Sequence, residues 1–178
     1  MRVIAGTHRG RRLQAPEGLD TRPTADRVRE SLFSILGPLD GEAVLDLFAG
    51  SGALGIEALS RGAGSALFSD SSTAAVRVVQ ANLEALGLEA RVVRDDASRV
   101  LRDAQARGAA YDLIFLDPPY RHAVQWAADL SALVPPVLTP GGRVVSESDR
   151  RAPLPLELPL ADERRYGDTL IRIHTHAH

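Results

Sequence analysis

Two short stretches of this chain carry residue types that could do chemistry together. Asp117-Pro118-Pro119-Tyr120 follows the apolar run YDLIFL at 111–116. The Asp117 carboxylate and a backbone carbonyl, that of Pro118, can each accept a hydrogen bond from one N–H of an amine on a planar base. Two such bonds rotate the amine towards tetrahedral and aim its lone pair at a methyl donor. The prolines stiffen the carbonyl and leave no competing N–H at 118 or 119. Tyr120 can stack on the base, an interaction worth about 1–3 kcal/mol. A proline-rich turn with a surface tyrosine is the bland alternative. The apolar strand before the motif, facing a glycine loop, favours the functional one.

That loop is Gly50-Ser51-Gly52-Ala53-Leu54-Gly55, a G-x-G-x-x-G directly after a strand and opening a helix. Its glycines allow a tight turn and close approach of backbone to a ligand at the carboxyl edge of a sheet. Asp70 ends the next strand, where a carboxylate can accept hydrogen bonds from both hydroxyls of a ribose. Charge then separates the candidate nucleosides. A dinucleotide places its pyrophosphate on the helix N-terminus, and Asp46, just ahead of the loop, would oppose that anion. S-adenosylmethionine carries an ammonium and a sulfonium, which suit an aspartate there. The strand edge therefore favours S-adenosylmethionine over NAD. Asp96, after the third strand, is placed to receive the adenine amino group, with Asp95 as its competitor.

These residues need strands to hold them. AVLDLF (43–48), SALFS (65–69), ARVVR (90–94), YDLIFL (111–116) and GRVVSE (142–147) read as buried strands. The intervening helices are expected over 53–61, 72–86, 97–106 and 122–133, with Gly62, Gly87 and Gly108 as stops. Strands separated by helices of this length imply right-handed crossovers and a parallel sheet. The late stretch ERRYGDTLIRIHT reads differently, as a hairpin of two antiparallel strands turning at Tyr166-Gly167-Asp168. Ahead of the sheet, 2–5 and 11–14 look like two short strands around a turn with Gly6 and Gly10. Thr24 reads as the N-cap of a helix over 25–36 with Val28, Leu32, Ile35 and Leu36 as its buried stripe.

The chain of 178 residues is 44% hydrophobic and 25% charged, the composition of an ordinary globular domain. No apolar run is long enough to span a membrane, and the basic start MRVIAGTHRGRR lacks the apolar stretch of a signal peptide. Without cysteine there are no disulfides, thiolate metal sites or thiol nucleophiles, in keeping with a cytoplasmic protein. Carbon-5 methylation of pyrimidines by covalent attack is excluded on the same ground. No G-x-S-x-G elbow or P-loop lysine is present. His174, His176 and His178 alternate near the C-terminus but read as a solvated tail rather than a metal site, and Trp126 as a packing residue. No metal is expected. The net charge of −2 hides an asymmetry: residues 1–29 hold seven arginines against Glu17, Asp20 and Asp26, whereas the rest hold 14 arginines against 20 acids. Arg2, Arg9, Arg11, Arg12, Arg22 and Arg27 are the candidates for RNA phosphates.

RVIAGTHRGRRL at 2–13, TRPTADRVRESLF at 21–33, VLDLFAGSGALGIEALSRGA at 44–63 and DPPY at 117–120 together resemble the RsmD family of guanine-N2 methyltransferases of small-subunit ribosomal RNA. RRYGDTLIRI at 164–173 looks like that family's closing hairpin. The resemblance implies a Rossmann-like class I methyltransferase. Its seven-stranded, mostly parallel α/β sheet ends in an antiparallel hairpin and carries a small N-terminal β-hairpin extension. Residues 1–40 would be the RNA-contacting extension and 41–178 the methyltransferase domain. It implies S-adenosyl-L-methionine held by Asp46, Phe48, Gly50, Ser51, Gly52, Asp70, Ser71, Asp96 and Ala97. The base would be held by Asp117, Pro118, Pro119 and Tyr120. It also implies 16S rRNA as substrate during assembly of the 30S subunit. A surface of a few arginines is small for recognising one loop unaided, which favours a partly assembled 30S subunit, and one compact domain without a coiled coil makes a monomer the default. SDSS at 69–72 stands where relatives often show a Glu followed by another acid, which leaves the ribose to the shorter Asp70. A DNA adenine-N6 methyltransferase and a non-catalytic RNA-binding assembly factor remain the rivals. The TRPT segment at 21–24 could meet RNA or fold over the cofactor.

Overall fold

The computed structural model describes residues 1–18, 23–119 and 122–177, with 23–25 as backbone alone. In chain order the elements are α1 (Pro23–Leu36), β1 (Ala43–Leu47), α2 (Ala53–Ser60), β2 (Ser65–Asp70), α3 (Thr73–Leu86), β3 (Arg91–Arg94), α4 (Ala97–Ala106), β4 (Tyr111–Leu116), α5 (Ala123–Leu133), β5 (Leu138–Asp149), β6 (Leu160–Tyr166) and β7 (Thr169–Thr175). The strands form one sheet in the order β3-β2-β1-β4-β5-β7-β6. β1 to β5 pair in parallel, while β7 runs antiparallel to both β5 and β6. The chain leaves β1 in one direction for β2 and β3, and later returns to its other side for β4. That reversal opens a crevice at the carboxyl ends of β1 and β4.

The central strands are apolar along their length because helices cover both faces. On one face Leu32, Phe33 and Leu36 of α1, Ile56 of α2 and Val79 and Leu83 of α3 pack on Val44, Phe68, Leu113, Phe115 and Val145. On the other, Val100 and Leu101 of α4 and Ala127 and Leu130 of α5 pack on Leu45, Leu47, Leu67, Ile114, Leu116 and Val144. With a side-chain period of two, Asp46, Asp70, Asp117 and Glu147 follow Val44, Phe68, Phe115 and Val145 onto the first face.

Several sequence expectations are corrected. The two N-terminal strands reduce to one antiparallel bridge, Arg2 with Arg12, because the turn between them consumes Gly6 to Gly10. The segment is nevertheless fixed, since Val3 and Leu13 are buried in the first core. Helix α1 starts at Pro23, so Thr24 lies inside it and does not cap it. Proline suits the first helical position because its missing N–H would have no partner there. Arg29 of α1 is buried and donates to the Arg2 carbonyl and to Asp26 Oδ1. Strand β5 runs from 138 to 149, well beyond 142–147 at both ends. His174 is no tail residue: it sits in β7 at 3% exposure, and its Nδ1 donates to the Leu158 carbonyl at 3.1 Å. The chain at 158–160 crosses it on the way into β6. Among the described residues, no helix is long and apolar enough to cross a membrane.

Candidate active site

The glycine loop is shaped by what it must not carry. Gly50 and Gly52 take left-handed backbones, with φ of 59° and 80°, and the Gly52 N–H closes on the Ala49 carbonyl at 2.8 Å. Gly52 caps α2 without a side chain, so the helix lacks the usual capping oxygen. Asp46 supplies it from the strand: its Oδ2 accepts the Gly55 N–H at 3.0 Å. Gly55 permits that approach, since a Cβ there would fall 2.3 Å from the Phe68 ring and 3.2 Å from the Asp46 carboxylate. Asp70 fixes the other side of the loop, accepting the Gly50 N–H on Oδ2 at 3.0 Å and the Ser72 N–H on Oδ1 at 2.9 Å. Both oxygens keep a second lone pair for a ribose.

Phe48 adopts φ of 58°, and among the described residues it is the one non-glycine with a left-handed backbone. Such strain gathers where a ligand is gripped. Its ring meets that of Trp126 edge-on at 5.2 Å between centroids, and both pack against the second core, so Trp126 packs as expected. Ser51 is buried, and its carbonyl accepts the Asn82 Nδ2–H at 2.9 Å. Asn82 also exchanges hydrogen bonds with the backbone of Gln14, and so ties the N-terminal segment to the loop. Ser71 is exposed in the turn from β2 to α3. Asp96 caps α4 by accepting the Arg99 N–H at 2.9 Å, while Asp95 accepts the Asp96 N–H. Ala97 opens α4, where a backbone N–H has no partner within the helix and can serve a ligand.

Asp117, Pro118 and Pro119 leave β4 beside this loop, with Pro118 buried and Pro119 exposed. Burial pushes the Asp117 carboxyl well above the usual carboxylate range, and the charges of Glu147 and Asp46 push it further. Burial also pushes Asp46 up to about 8, with the Gly55 bond opposing and the Asp70 charge adding. Glu147 is raised by burial too. Acids strung along one carboxyl edge are costly without positive charge beside them. They fit a ligand bearing an ammonium and a sulfonium, and would repel a pyrophosphate.

Among the described residues, the expected cofactor and base residues lie along the carboxyl edge of β1 to β4. Tyr120 and Arg22 lie outside the described residues. The arginine candidates gather elsewhere: Arg2, Arg9 and Arg27 line a cavity of about 480 Å³ together with Asp26 and Glu30. Arg12 is exposed nearby. Arg11 donates to the Ala85 carbonyl at 2.7 Å and so closes the C-terminus of α3. Glu147 and Asn82 were invisible to motif reading. Glu147 could be found only once the β4–β5 register was known, and Asn82 looks like any polar helix residue.

A family described as "Conserved hypothetical protein 95" matches residues 1–175. The Bacillus subtilis protein named "Putative rRNA methyltransferase YlbH" is 44% identical over 98% of each chain. The ribosomal RNA small subunit methyltransferase D of Escherichia coli K12 is 43% identical over 70% of this chain and 62% of its own. The chain belongs to the RsmD family of methyltransferases. Its fold agrees: the solved structure titled "Putative methyltransferase yhhF from Escherichia coli" superposes with a TM-score of 0.82 at 36% identity, covering 99% of this chain and 98% of that one.

Proposed function

We propose that this protein methylates the N2 amine of a guanine in 16S rRNA, using S-adenosyl-L-methionine, on a partly assembled 30S subunit and as a monomer. The observation that carries the reading is the juxtaposition of the glycine loop and Asp117 across one acid-lined crevice. The names of its relatives supply the ribosomal RNA. When bound, S-adenosylmethionine supplies a methyl group already activated on a cationic sulfur.

The protein's own work is positioning and electrostatics. Asp46 faces the ligand's positive end, Asp70 takes the ribose hydroxyls, and Asp96 with the Ala97 N–H receives the adenine. Asp117 and the Pro118 carbonyl accept the two N–H bonds of the guanine amine and turn its lone pair to the methyl, while Tyr120 stacks on the base. Residues 1–40 act as the RNA-contacting extension, with Arg2, Arg9, Arg12 and Arg27 towards phosphates.

The test uses tritiated-methyl S-adenosylmethionine with unmodified 30S particles, naked 16S rRNA and duplex DNA, followed by digestion to nucleosides. Label in N2-methylguanosine from RNA, with particles preferred, is expected. Label confined to N6-methyladenosine from DNA would overturn the substrate. Cofactor binding without any transfer would leave an RNA-binding assembly factor.

A further inference from the structure

The proposed reaction employs Asp117 but says nothing of its neighbour. In the β4–β5 ladder Phe115 pairs with Val145 and Leu116 with Ser146. Asp117 and Glu147 are the next step of that register, and both follow their apolar predecessors onto the same face. Two carboxylates therefore stand side by side at the base-holding end of the crevice. The arginines of the adjoining strand segments are engaged elsewhere: Arg143 with Glu42, Arg172 with Glu163 and Arg151 with Asp149. Each carboxyl holds its proton more tightly than usual, Asp117 partly because of Glu147. What such a pair lacks is a row of N–H donors.

A guanine supplies that row. Its Watson–Crick edge presents two N–H bonds on N2 and a third on N1 beside them. If Asp117 and the Pro118 carbonyl take the amine, the N1–H is left pointing past Asp117 and needs its own acceptor once water is excluded. An adenine entering by the same edge would bring its amine but a bare N1, whose lone pair would face a carboxylate. A carboxylate cannot donate to it unless protonated. One neighbouring acid thus accepts the right base and penalises the wrong one.

We propose that Glu147 is a specificity-determining residue, whose carboxylate accepts the N1–H of the target guanine while Asp117 holds its amine. The assignment rests on the guanine-N2 reading above.

The experiment compares wild type and Glu147→Gln on reassembled small-subunit particles. The guanine labelled by wild type is either kept or replaced by 2-aminopurine, which retains the N2 amine and lacks the N1–H. Wild type is expected to transfer to guanine at least tenfold faster than to 2-aminopurine. Glu147→Gln should lose tenfold or more on guanine yet hold or gain rate on 2-aminopurine, because its amide can donate to the bare N1. Its affinity for S-adenosylmethionine should stay within about twofold of wild type. Equal wild-type rates on the two bases would overturn the assignment, whatever the variant does. So would a variant that keeps the wild-type rate on guanine, or slows equally on both. A wild-type product other than N2-methylguanosine would overturn the functional reading and this one together; loss of the assignment alone leaves that product intact.

Discussion

At the residue scale, this site is organised by acids that the fold makes uncomfortable. Asp117 is raised by burial and by two neighbouring charges, so its ionised form is held in reserve for N–H donors. Asp117→Asn should lower turnover about a hundredfold or more, with S-adenosylmethionine affinity nearly unchanged; a matching loss of affinity in titration calorimetry would place Asp117 in cofactor binding instead. Asp46 gives a test with a defined pH sign. Burial lifts its pKa from the ordinary aspartate value of 3.8 to about 8. The folded state therefore binds the extra proton between those values, and the stability linked to Asp46 is fully present below about pH 4 and lost as pH rises through 8. Asp46→Asn keeps an oxygen for the Gly55 N–H and removes the charge. The ligand-free variant should melt higher than wild type at pH 8 and gain little at pH 5, while binding S-adenosylmethionine at least tenfold more weakly. Thermal melts at both pH values, paired with calorimetry, would expose either failure. The sequence already placed Asp70, Asp96 and Asp117 at or just past strand ends and Asp46 just ahead of the glycine loop, which together mark a carboxyl edge. It did not reveal that Asp70 holds the glycine loop at Gly50 with one oxygen and its own turn at Ser72 with the other, or that Phe48 is left-handed, since neither has a local pattern.

Elements are where the sequence spoke most plainly. The alternation of apolar runs with glycine-stopped helices located every strand and helix of the sheet to within a few residues, as a buried parallel sheet should. What escaped it was long-range pairing. β5 is long because β7 lies antiparallel along it from Arg143 to Asp149, and His174 is buried because a distant loop crosses it. The N-terminal segment is the clearest case, for its structure comes from docking and not from strand propensity. Glu57, fully buried in α2, accepts the N–H groups of Ile4 and Ala5, and Ser60 receives Thr7 and His8. Gly6 lies so close that a Cβ would fall 1.8 Å from the Ser60 carbonyl oxygen, and its φ of 85° already disfavours a side chain. Gly6→Ala should lift this segment from α2. The sheet and its two helix layers should survive, with a loss of about 1–3 kcal/mol, and RNA binding should fall far more than S-adenosylmethionine binding. Hydrogen exchange of the Ile4, Ala5 and Thr7 amides would report the release; unchanged protection there would show that the segment is held by something else.

Across the whole molecule, positive charge sits on the N-terminal segment, and negative charge on the carboxyl edge beside it. The separation gives an anionic polymer one place to lie while a cationic small molecule has another, so the two substrates need not compete for charge. Not every arginine on the basic side belongs to that surface. Arg9 and Arg27 are exposed around the cavity with Arg2, whereas Arg11 is engaged with the last turn of α3. Neutralising a phosphate contact should flatten the dependence of log affinity on log salt by about 0.7–0.9 per contact. Arg9→Ala and Arg27→Ala should each show that flattening with little change in melting temperature. Arg11→Ala should do the reverse, leaving the slope alone and costing about 0.5–1.5 kcal/mol of stability through the lost hydrogen bond. Binding isotherms on 30S particles at several salt concentrations, with melts of the same variants, separate the two groups. A uniform slope change across all three would mean that the basic face acts as a diffuse field and that the cavity has no particular part in holding RNA.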